Sequence, residues 1–325
     1  MRESKAIERV RRFATSDGAL GLFDDVALLD GLVLTHDSLA EGVHFLSSDP
    51  PASVGWKLVA VNLSDLAGKG ARPAGALLSL ALSDDEEWDL AFLDGVEAAC
   101  ESYGLPLLGG DTIALPPAAP RVFGLTAIGR AGVRVPLRSG AKAGDALWVA
   151  GTIGDAGVGL AQLVDDPAAT GPLVDTYRRP VPQLAVGQAL APHAHAMMDV
   201  SDGLLLDASR LAQASGVSAR IDLAALPLSR AFIAERGNGL DSRRFAATAG
   251  DDYALLAAFP PELDPLSLSL PSRTTIARIG TLSADGPTLS LVHGGDPVPL
   301  PERLGFEHLG NEHRGHPPSP VADRH

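Results

Sequence analysis

Short apolar runs separated by polar turns recur along the chain and predict strands interleaved with helices. In the opening third, strands are predicted by GLVLTHDSL, GALLSLAL, LPLLGGD and VFGLTAIGR. A helix is predicted by SVGWKLVAVNLSDLAGKG, because Val54, Leu58 and Val61 recur at helical spacing. A second helix is predicted by SDDEEWDLAFLDGVEAACESYG, in which Ser83 and Glu86 have the spacing of a capping box. This order of elements is typical of a mixed α/β domain.

Turn and charged residues interrupt the pattern around VRVPLRSGAKAGD, where we predict a domain boundary. Beyond it, strands are predicted by DALWVAG, AMMDV, ARIDLAALPLS and DDYALLAAFP, and a helix by VGLAQLV. We therefore expect an N-terminal domain over residues 1–137 and a C-terminal α/β domain over residues 138–312. The remaining residues, 313–325, have the composition of a flexible tail.

Composition and charge narrow the class of protein. The chain has 325 residues, of which 46% are hydrophobic and 20% charged, as in a compact protein with a sizeable core. Its formal net charge of −14 repels nucleic acids and anionic membranes, so neither is expected as a partner. No run approaches the ~18 apolar residues of a membrane helix, and the charged start lacks the centre of a signal peptide, so we expect a cytoplasmic protein. Cys100 is the only cysteine, which excludes an internal disulfide.

Acidic residues stand repeatedly at the edges of apolar segments, beside Gly, Ser, Thr or Asn. The positions are Asp24 with Asp25, Asp37, Asp65, Asp111, and Asp199 with Asp202. Aspartate is also a common turn and N-cap residue, so each position has a structural interpretation, and Asp202 would cap a helix beginning at Gly203. Five such junctions together favour carboxylates that converge on a positive charge.

Converging carboxylates cannot all stay ionised in a cleft of low dielectric unless cations neutralise them. Because the candidate ligands are oxygen donors without zinc-type Cys/His spacing, Mg²⁺ or Mn²⁺ is favoured. Magnesium bound by a few carboxylates keeps positions open for phosphate oxygens, which favours a nucleotide or phosphate ester as substrate. The predicted helix start at Ser201 to Gly203 adds free backbone N–H groups suited to a phosphate. The chain has no G-x-x-x-x-G-K-[ST] loop and no protein-kinase motif set.

Eight segments in order resemble the thiamine-monophosphate kinase family, of the superfamily that includes aminoimidazole ribonucleotide synthetase. They are FDDVALL, THDSLAEGVHF, AVNLSDLAGKGARP, LGGDT, LRSGAKAGD, DVSDGLLLDASRLAQASG, IDLAALPLS and GDDYALL. The resemblance is collinear from about residue 20 to the segment at Gly305. A single motif of this kind is weak, whereas eight in the same order are highly specific.

The resemblance implies two α/β domains, of which the N-terminal one pairs with its twin in a homodimer and the C-terminal one closes over the active site. It implies transfer of the γ-phosphoryl group of ATP onto the phosphate of thiamine monophosphate, giving thiamine diphosphate and ADP with the help of several Mg²⁺ ions. Such a transfer needs in-line positioning and charge neutralisation more than a strong base. No catalytic residue is therefore expected beyond the ligands of metal and ATP.

The resemblance also implies roles for single residues. Metal ligands are implied at Asp25, Thr35, Asp37, Asp65, Asp111 and Asp199, with Asp202 contacting a further metal. Contacts with ATP are implied for Gly110, Asp111, Arg138 and Ser201. Contacts with the thiamine substrate are implied for His44, Asp251 and Phe306. On their surroundings alone, His44 and Phe306 would be interpreted as packed core residues.

The chain departs from the family pattern at several positions. Phe23 stands where a glycine usually precedes the two aspartates, and His36 replaces a hydroxyl residue beside a predicted metal ligand. Lys69 replaces a customary apolar residue. Asp251 replaces the usual glutamate, which shortens the carboxylate by one methylene, and Ala254 replaces a second glutamate.

Two other functions stay open at this point. One is another ATP-using member of the superfamily, such as a selenophosphate synthetase or a hydrogenase-maturation dehydratase. The lack of a reactive cysteine near the start, and of a terminal cysteine after VADRH, speaks against both. The other is a nucleotide-binding relative that has lost catalysis through the departures at Phe23 and Asp251, against which the retained carboxylates argue.

Overall fold

A computed structural model of the chain describes residues 3–307. Its strands form two mixed sheets, one of five and one of seven strands. The predicted boundary at residue 137 falls in the segment between the two sheets. The predicted tail, 313–325, and residues 308–312 of the predicted C-terminal domain lie outside the described residues.

The first sheet comprises the five strands of the N-terminal part of the chain. The strands are β1 (Ala27–Leu29), β2 (Leu32–Ala40), β3 (Arg72–Leu82), β4 (Leu107–Ala114) and β5 (Val122–Arg130), and the helices are α1 (Glu3–Arg11), α2 (Pro51–Gly68) and α3 (Glu86–Tyr103). The strand order is β1-β2-β5-β3-β4, and only β3 and β4 run parallel. The four strands and two helices predicted here are confirmed, and β1 is an addition.

The second sheet comprises seven strands: β6 (Ala146–Ala150), β7 (Ala196–Val200), β8 (Ser218–Asp222), β9 (Ala254–Phe259), β10 (Ile276–Ser283), β11 (Leu289–His293) and β12 (Asp296–Val298). Their order is β12-β11-β8-β10-β6-β9-β7, and only β11 and β8 run parallel. The accompanying helices are α4 (Asp155–Asp165), α5 (Pro172–Arg178), α6 (Leu184–Leu190), α7 (Leu204–Ser215), α8 (Arg230–Arg236) and α9 (Leu240–Thr248). The prediction of one strand over ARIDLAALPLS was wrong in its second half. Strand β8 ends at Asp222, because that carboxylate accepts a hydrogen bond from Ala224 N and caps a short 3-10 turn.

The start of α3 differs from the predicted capping box. Asp85 is the N-cap, and its carboxylate accepts a hydrogen bond from Trp88 N. Ser83 bonds instead to Asp89, which accepts from both its backbone N–H and its hydroxyl. The local run of acidic residues offers several caps at neighbouring positions, and the one closest to the apolar stripe is used.

Helix α2 lies between the two sheets. It packs on β2 and β5 of the first sheet and on β7 and α6 of the second. Val54, Leu58 and Val61, the predicted apolar stripe, are at most 3% exposed. At its C-terminal end, a Cβ on Gly68 would press against the backbone of Met198 and Asp199. The backbones of α2 and β7 are therefore in direct contact, which brings their polar side chains together.

One face of the first sheet, which we call the outer face, is turned away from α2. Register places on it His36, Ser38, Leu77, Ser79, Asp111, Ile113, Val122 and Thr126. Its apolar side chains Leu77, Ile113 and Val122 are between 43% and 55% exposed. The opposite, inner face carries Thr35 and Asp37 and is covered by helices. The helices in the described range 3–307 all fall short of the length and apolarity needed to cross a membrane.

Candidate functional site

Three aspartates from distant parts of the sequence meet between the sheets. Asp25 lies in the turn before β1, Asp65 on α2 and Asp199 on β7. One carboxylate oxygen of each lies within 4.8 Å of the others. Asp65 and Asp199 are buried, and Asp25 is nearly so. The structure thus brings together three of the residues for which the sequence predicts metal binding.

Strand β2 supplies the polar wall of this cluster. The Thr35 hydroxyl donates to Asp65 and lies 3.3 Å from the carbonyl oxygen of Asp25. The backbone N–H of Asp37 donates to Asn62 Oδ1 over 2.9 Å, which ties β2 to α2. Because Thr35 and Asp37 alternate on the inner face, both predicted ligands border the cluster.

Burial and mutual repulsion dominate the electrostatics. Burial, followed by the charges of Asp37 and Asp199, holds the pKa of Asp65 well above its ordinary value. Burial, followed by the charge of Asp25, does the same for the pKa of Asp199. Burial, with Asp25 and Asp202 nearby, raises the pKa of Asp37 to about 6. The cluster therefore carries more carboxylates than its surroundings stabilise in the charged form.

Two cationic side chains meet this cluster at Asp25. Lys69 Nζ lies 3.5 Å from Asp25 Oδ2 and 2.7 Å from Asp24 Oδ1. The Arg138 guanidinium donates to Asp25, and its backbone N–H donates to Asp24. Burial acts to raise the pKa of Asp25, but Arg138 and Lys69 outweigh it and hold that pKa below its usual value. Arg138, a predicted ATP contact, thus borders a predicted metal ligand.

The turn between β7 and α7 differs from its prediction. Helix α7 begins at Leu204 after Gly203, and Asp202 does not cap it. The backbone N–H groups of Ser201 and Asp202 are not free for a phosphate, because both donate to Asp207 Oδ2 over 3.1 Å. Asp202 itself pairs with Arg210. The paired Asp202 carboxylate is close enough to Asp37 to raise its pKa, so this turn, which also carries Ser201, borders the cluster.

The predicted substrate residues gather at the other end of α2. Lys57 Nζ donates to Asp251 Oδ2 over 2.9 Å and to the carbonyl oxygen of His44 over 3.0 Å. The ammonium also lies 4.0 Å from the centre of the Tyr177 ring. Asp251 has a left-handed φ of 64° and accepts a second hydrogen bond from the Tyr253 hydroxyl. His44 and Asp251, predicted from separate motifs, are therefore joined through one buried lysine.

Phe306 lies beside the turn that follows β7. Its backbone N–H donates to the carbonyl oxygen of Asp202 over 2.8 Å, and its side chain is 46% exposed. Asp251 N donates to the carbonyl oxygen of Ser201, on the same turn. The residues expected to contact the thiamine substrate thus approach the carboxylate cluster from one side.

Gly110 and Asp111 lie apart from all of these residues. In the strand register, Asp111 is opposite Ser79, Ser79 is opposite Gly124, and Gly124 is opposite Ser38, so Asp111 and Ser38 lie on the same outer face. Its side chain is exposed and three strands away from β2, which is about 14 Å at the usual strand spacing. His36 occupies the same outer face, bonded to Thr126, and so does not border Thr35 and Asp37, the predicted metal ligands next to it in sequence. Asp111 therefore does not reach the cluster of its own chain.

The donor set fits a hard divalent cation. Asp25 Oδ2 is buried and accepts no hydrogen bond from any residue in the described range 3–307. The donors are carboxylate and hydroxyl oxygens, which suit Mg²⁺ better than softer metals. A divalent ion held by these residues would offset the negative charges that raise the pKa of Asp65 and Asp199.

The sequence prediction missed Lys57, Asp207 and Arg210. Lys57 had a visible signal, since it is the only charged residue in the apolar run VGWKLVAVNL. Asp207 was hidden because an aspartate in the first turn of an amphipathic helix is usually solvated. Here it is fully buried and binds the preceding turn.

Comparison with known proteins agrees with this architecture. Residues 23–131 match the N-terminal domain, and residues 142–290 the C-terminal domain, of the family described as AIR synthase related protein. The chain is 38% identical over 320 residues to thiamine-monophosphate kinase of Salmonella typhimurium, covering 94% of this chain and 96% of that protein. It is 36% identical over 305 residues to thiamine-monophosphate kinase of Caulobacter vibrioides, covering 89% and 85%.

Solved structures with the same architecture include AaThiL complexed with AMPPCP and TMP. That chain matches with a TM-score of 0.80 at 31% identity, covering 95% of this chain and 97% of that one. Thiamine monophosphate kinase from Aquifex aeolicus matches with a TM-score of 0.77 at 30% identity, covering 92% and 99%. Hydrogenase maturation protein HypE in complex with ATP shares the fold alone, with a TM-score of 0.67 at 20% identity, covering 94% and 96%.

Proposed function

The chain belongs to the thiamine-monophosphate kinase family, and we propose that it transfers the γ-phosphoryl group of ATP onto the phosphate of thiamine monophosphate. The products are thiamine diphosphate and ADP. The meeting of Asp25, Asp65 and Asp199 carries this proposal, since two polyanionic substrates need such a site for cations. The AaThiL complex with AMPPCP and TMP supports the choice of substrates.

Magnesium is the cation that we propose for this site. Asp25, Asp65 and Asp199 would hold it, with Thr35 and Asp37 on the wall formed by β2. When bound, Mg²⁺ would supply positive charge that neutralises the phosphate groups of the two substrates. Asp202, on the neighbouring turn, is proposed to contact a further ion.

The residues of the chain bind and orient the two substrates. The Arg138 guanidinium has a planar fork suited to phosphate oxygens, and its buried Nε has no hydrogen-bond partner among the described residues. Ser201 lies on the turn beside it. At the other end of α2, Lys57 holds Asp251 and the His44 segment in place for the thiamine moiety, with Phe306 alongside.

No general base is needed for this reaction. The acceptor is a phosphate oxygen that is already anionic at neutral pH, so the chain need not remove a proton from it. The contribution of the protein is in-line positioning and exclusion of water from a buried cluster.

The direct test incubates the purified chain with ATP, Mg²⁺ and thiamine monophosphate and measures thiamine diphosphate by chromatography. Asp199→Asn is expected to lose turnover by at least about a thousandfold, because the cluster loses a buried ligand. Asp241→Asn, whose carboxylate is 96% exposed, is the matched control and retains the wild-type rate. ATP binding without turnover, or turnover with another acceptor alone, contradicts the proposal.

We also propose that the chain forms a homodimer through its outer face. Leu77, Ile113 and Val122 there are about half exposed, as expected of a surface that a second copy covers. Such pairing offers Asp111 a role that it cannot have within its own chain, as a ligand in the partner's site. Gly110, its neighbour on β4, is proposed to contact ATP there.

Light scattering coupled to size-exclusion chromatography tests the dimer. The wild-type chain is expected at twice the monomer mass of 33.5 kDa. Ile113→Glu, which places a charge in the proposed interface, is expected to elute as a monomer. Val133→Glu is the control, since Val133 is 94% exposed and lies off the outer face. A monomeric wild-type chain rejects the dimer and leaves the phosphoryl-transfer proposal untouched.

A further inference from the structure

Lys69 is a fully buried lysine at the centre of the molecule. Its side chain has no exposed surface, and it follows directly on the last residue of α2. An isolated ammonium at such a place costs several kcal/mol of desolvation unless it is paired and hydrogen-bonded. Its contacts must therefore account for its presence there.

Those contacts connect three segments. The ammonium lies 2.7 Å from Asp24 Oδ1 and donates to the carbonyl oxygen of Met197 over 3.0 Å. It lies 3.5 Å from Asp25 Oδ2, the oxygen that has no hydrogen-bond donor in the part of the chain that the structure describes. The carbonyl of Met197 is two residues before Asp199 on the same strand. One side chain thus links both aspartates of the FDDV turn to the strand that carries a third.

The charge count shows what this ammonium does for the cluster. Asp24, Asp25, Asp65 and Asp199 supply four carboxylates within a small buried volume. Lys69 and Arg138 are the cations that contact them among the described residues. Asp24 accepts from two backbone N–H groups and from Lys69, so both of its carboxylate oxygens already have partners. The Asp25 carboxylate therefore lies between the Lys69 ammonium and the proposed position of a bound divalent cation.

We propose that Lys69 is a built-in counter-ion that competes with a divalent cation for Asp25, holding the metal-free site together and lowering its affinity for the first ion. A fixed positive charge beside Asp25 repels an incoming dication, and it also occupies part of the negative potential that attracts one. The inference rests on the metal site of the proposed function. Its test uses no ATP and no thiamine monophosphate, so that turnover and this proposal fail separately.

The experiment titrates Mn²⁺ into the metal-free full-length chain and follows the free ion by its EPR signal. Lys69→Met removes the charge and keeps the length of the side chain. This variant is expected to bind the first ion on the order of tenfold more tightly. Lys69→Arg keeps the charge and is expected to stay within about twofold of wild type. Lys57→Met removes the other buried ammonium of α2, away from the cluster, and is the matched control with unchanged affinity.

Thermal unfolding supplies a second readout. In EDTA, Lys69→Met is expected to melt below wild type, because Asp24 is left buried without its cation. The gap is expected to close as Mn²⁺ is added, since a bound ion replaces the lost charge. Should Lys69→Met not fold, Asp24→Asn/Lys69→Met removes both charges of the pair and is expected to fold and to bind Mn²⁺ more tightly than Asp24→Asn alone, from which it differs only by loss of the ammonium.

Two results overturn the proposal. The proposal fails if Lys69→Met binds Mn²⁺ no more tightly than wild type, or, where Lys69→Met does not fold, if the double variant binds it no more tightly than Asp24→Asn; Lys69 is then part of a structural ion pair only. Absence of Mn²⁺ binding by the wild-type chain removes the metal site itself and this inference with it.

Discussion

Replacing Asp65 by asparagine is expected to stabilise the metal-free protein while it abolishes turnover. Asp65 is buried, and its pKa is raised by burial and by the charges of Asp37 and Asp199. A carboxyl whose pKa is raised by folding stabilises the folded state below its ordinary pKa. That contribution is lost as the pH rises toward the folded-state pKa. At neutral pH, where the unfolded chain carries this carboxyl ionised, Asp65 therefore lowers the free energy of unfolding relative to an uncharged residue, and asparagine removes that penalty.

The size of the effect has an upper bound. Each pH unit between the ordinary pKa of 3.8 and the solution pH costs about 1.4 kcal/mol, so the penalty at pH 7 cannot exceed about 4 kcal/mol. The asparagine amide oxygen still accepts from the Thr35 hydroxyl, so that hydrogen bond is kept. We expect Asp65→Asn to raise the free energy of unfolding at pH 7 in EDTA, by no more than that bound. The gain is expected to shrink as the pH is lowered toward 4.

Urea unfolding between pH 5 and pH 7.5 measures this difference, and chromatography measures turnover on the same samples. Asp49→Asn is the matched control, because Asp49 is equally buried but accepts from Arg178 and Leu46 N, each over 2.8 Å. It is expected to be destabilised by about 3 kcal/mol. If Asp65→Asn is less stable than wild type in EDTA, or its gain is independent of pH, the repulsion argument is refuted.

Three further outcomes are expected. Lys57→Met raises KM for thiamine monophosphate about tenfold with a smaller change in kcat, because the substrate-side carboxylate loses its buried partner; steady-state kinetics measure the split. Gly187→Val lowers the free energy of unfolding by about 2 to 4 kcal/mol, since a Cβ there clashes with the Ala67 carbonyl. Mixing inactive Asp111→Asn and Asp199→Asn chains restores about a quarter of wild-type activity if Asp111 serves the partner's site, and none if it serves its own.

Much of this site is predictable because each cluster residue stands where an apolar element ends. Asp25, Asp65 and Asp199 follow or close apolar runs, and buried elements bring their ends together. The same local rule selects Asp111, but it does not reveal where the strand that carries Asp111 lies in the sheet. The sheet order β1-β2-β5-β3-β4 puts β4 at the far edge, and register turns Asp111 outward. Non-local strand pairing of this kind has no signature in a short window.

The polar partners of the site were harder to predict for a different reason. Whether an aspartate such as Asp207 faces water or a backbone N–H depends on how α7 meets the end of β7. Lys69 was noticed as a departure from a family pattern, yet its contacts with Asp24 and Met197 span three segments. Whether a charged side chain is buried depends on how distant segments pack together, so no single stretch of sequence predicts it.

Helix α2 fixes the distance between the two parts of the proposed active site. Lys57, beside the residues expected to hold the thiamine moiety, and Asp65, in the carboxylate cluster, are eight positions apart on one helix. That separation is about 12 Å along its axis. Because α2 packs against both sheets, this distance does not change with the bound substrate. An acceptor whose phosphate is appreciably nearer to its ring system, or farther from it, than in thiamine monophosphate could not contact the residues near Lys57 and place its phosphate at the carboxylate cluster at the same time.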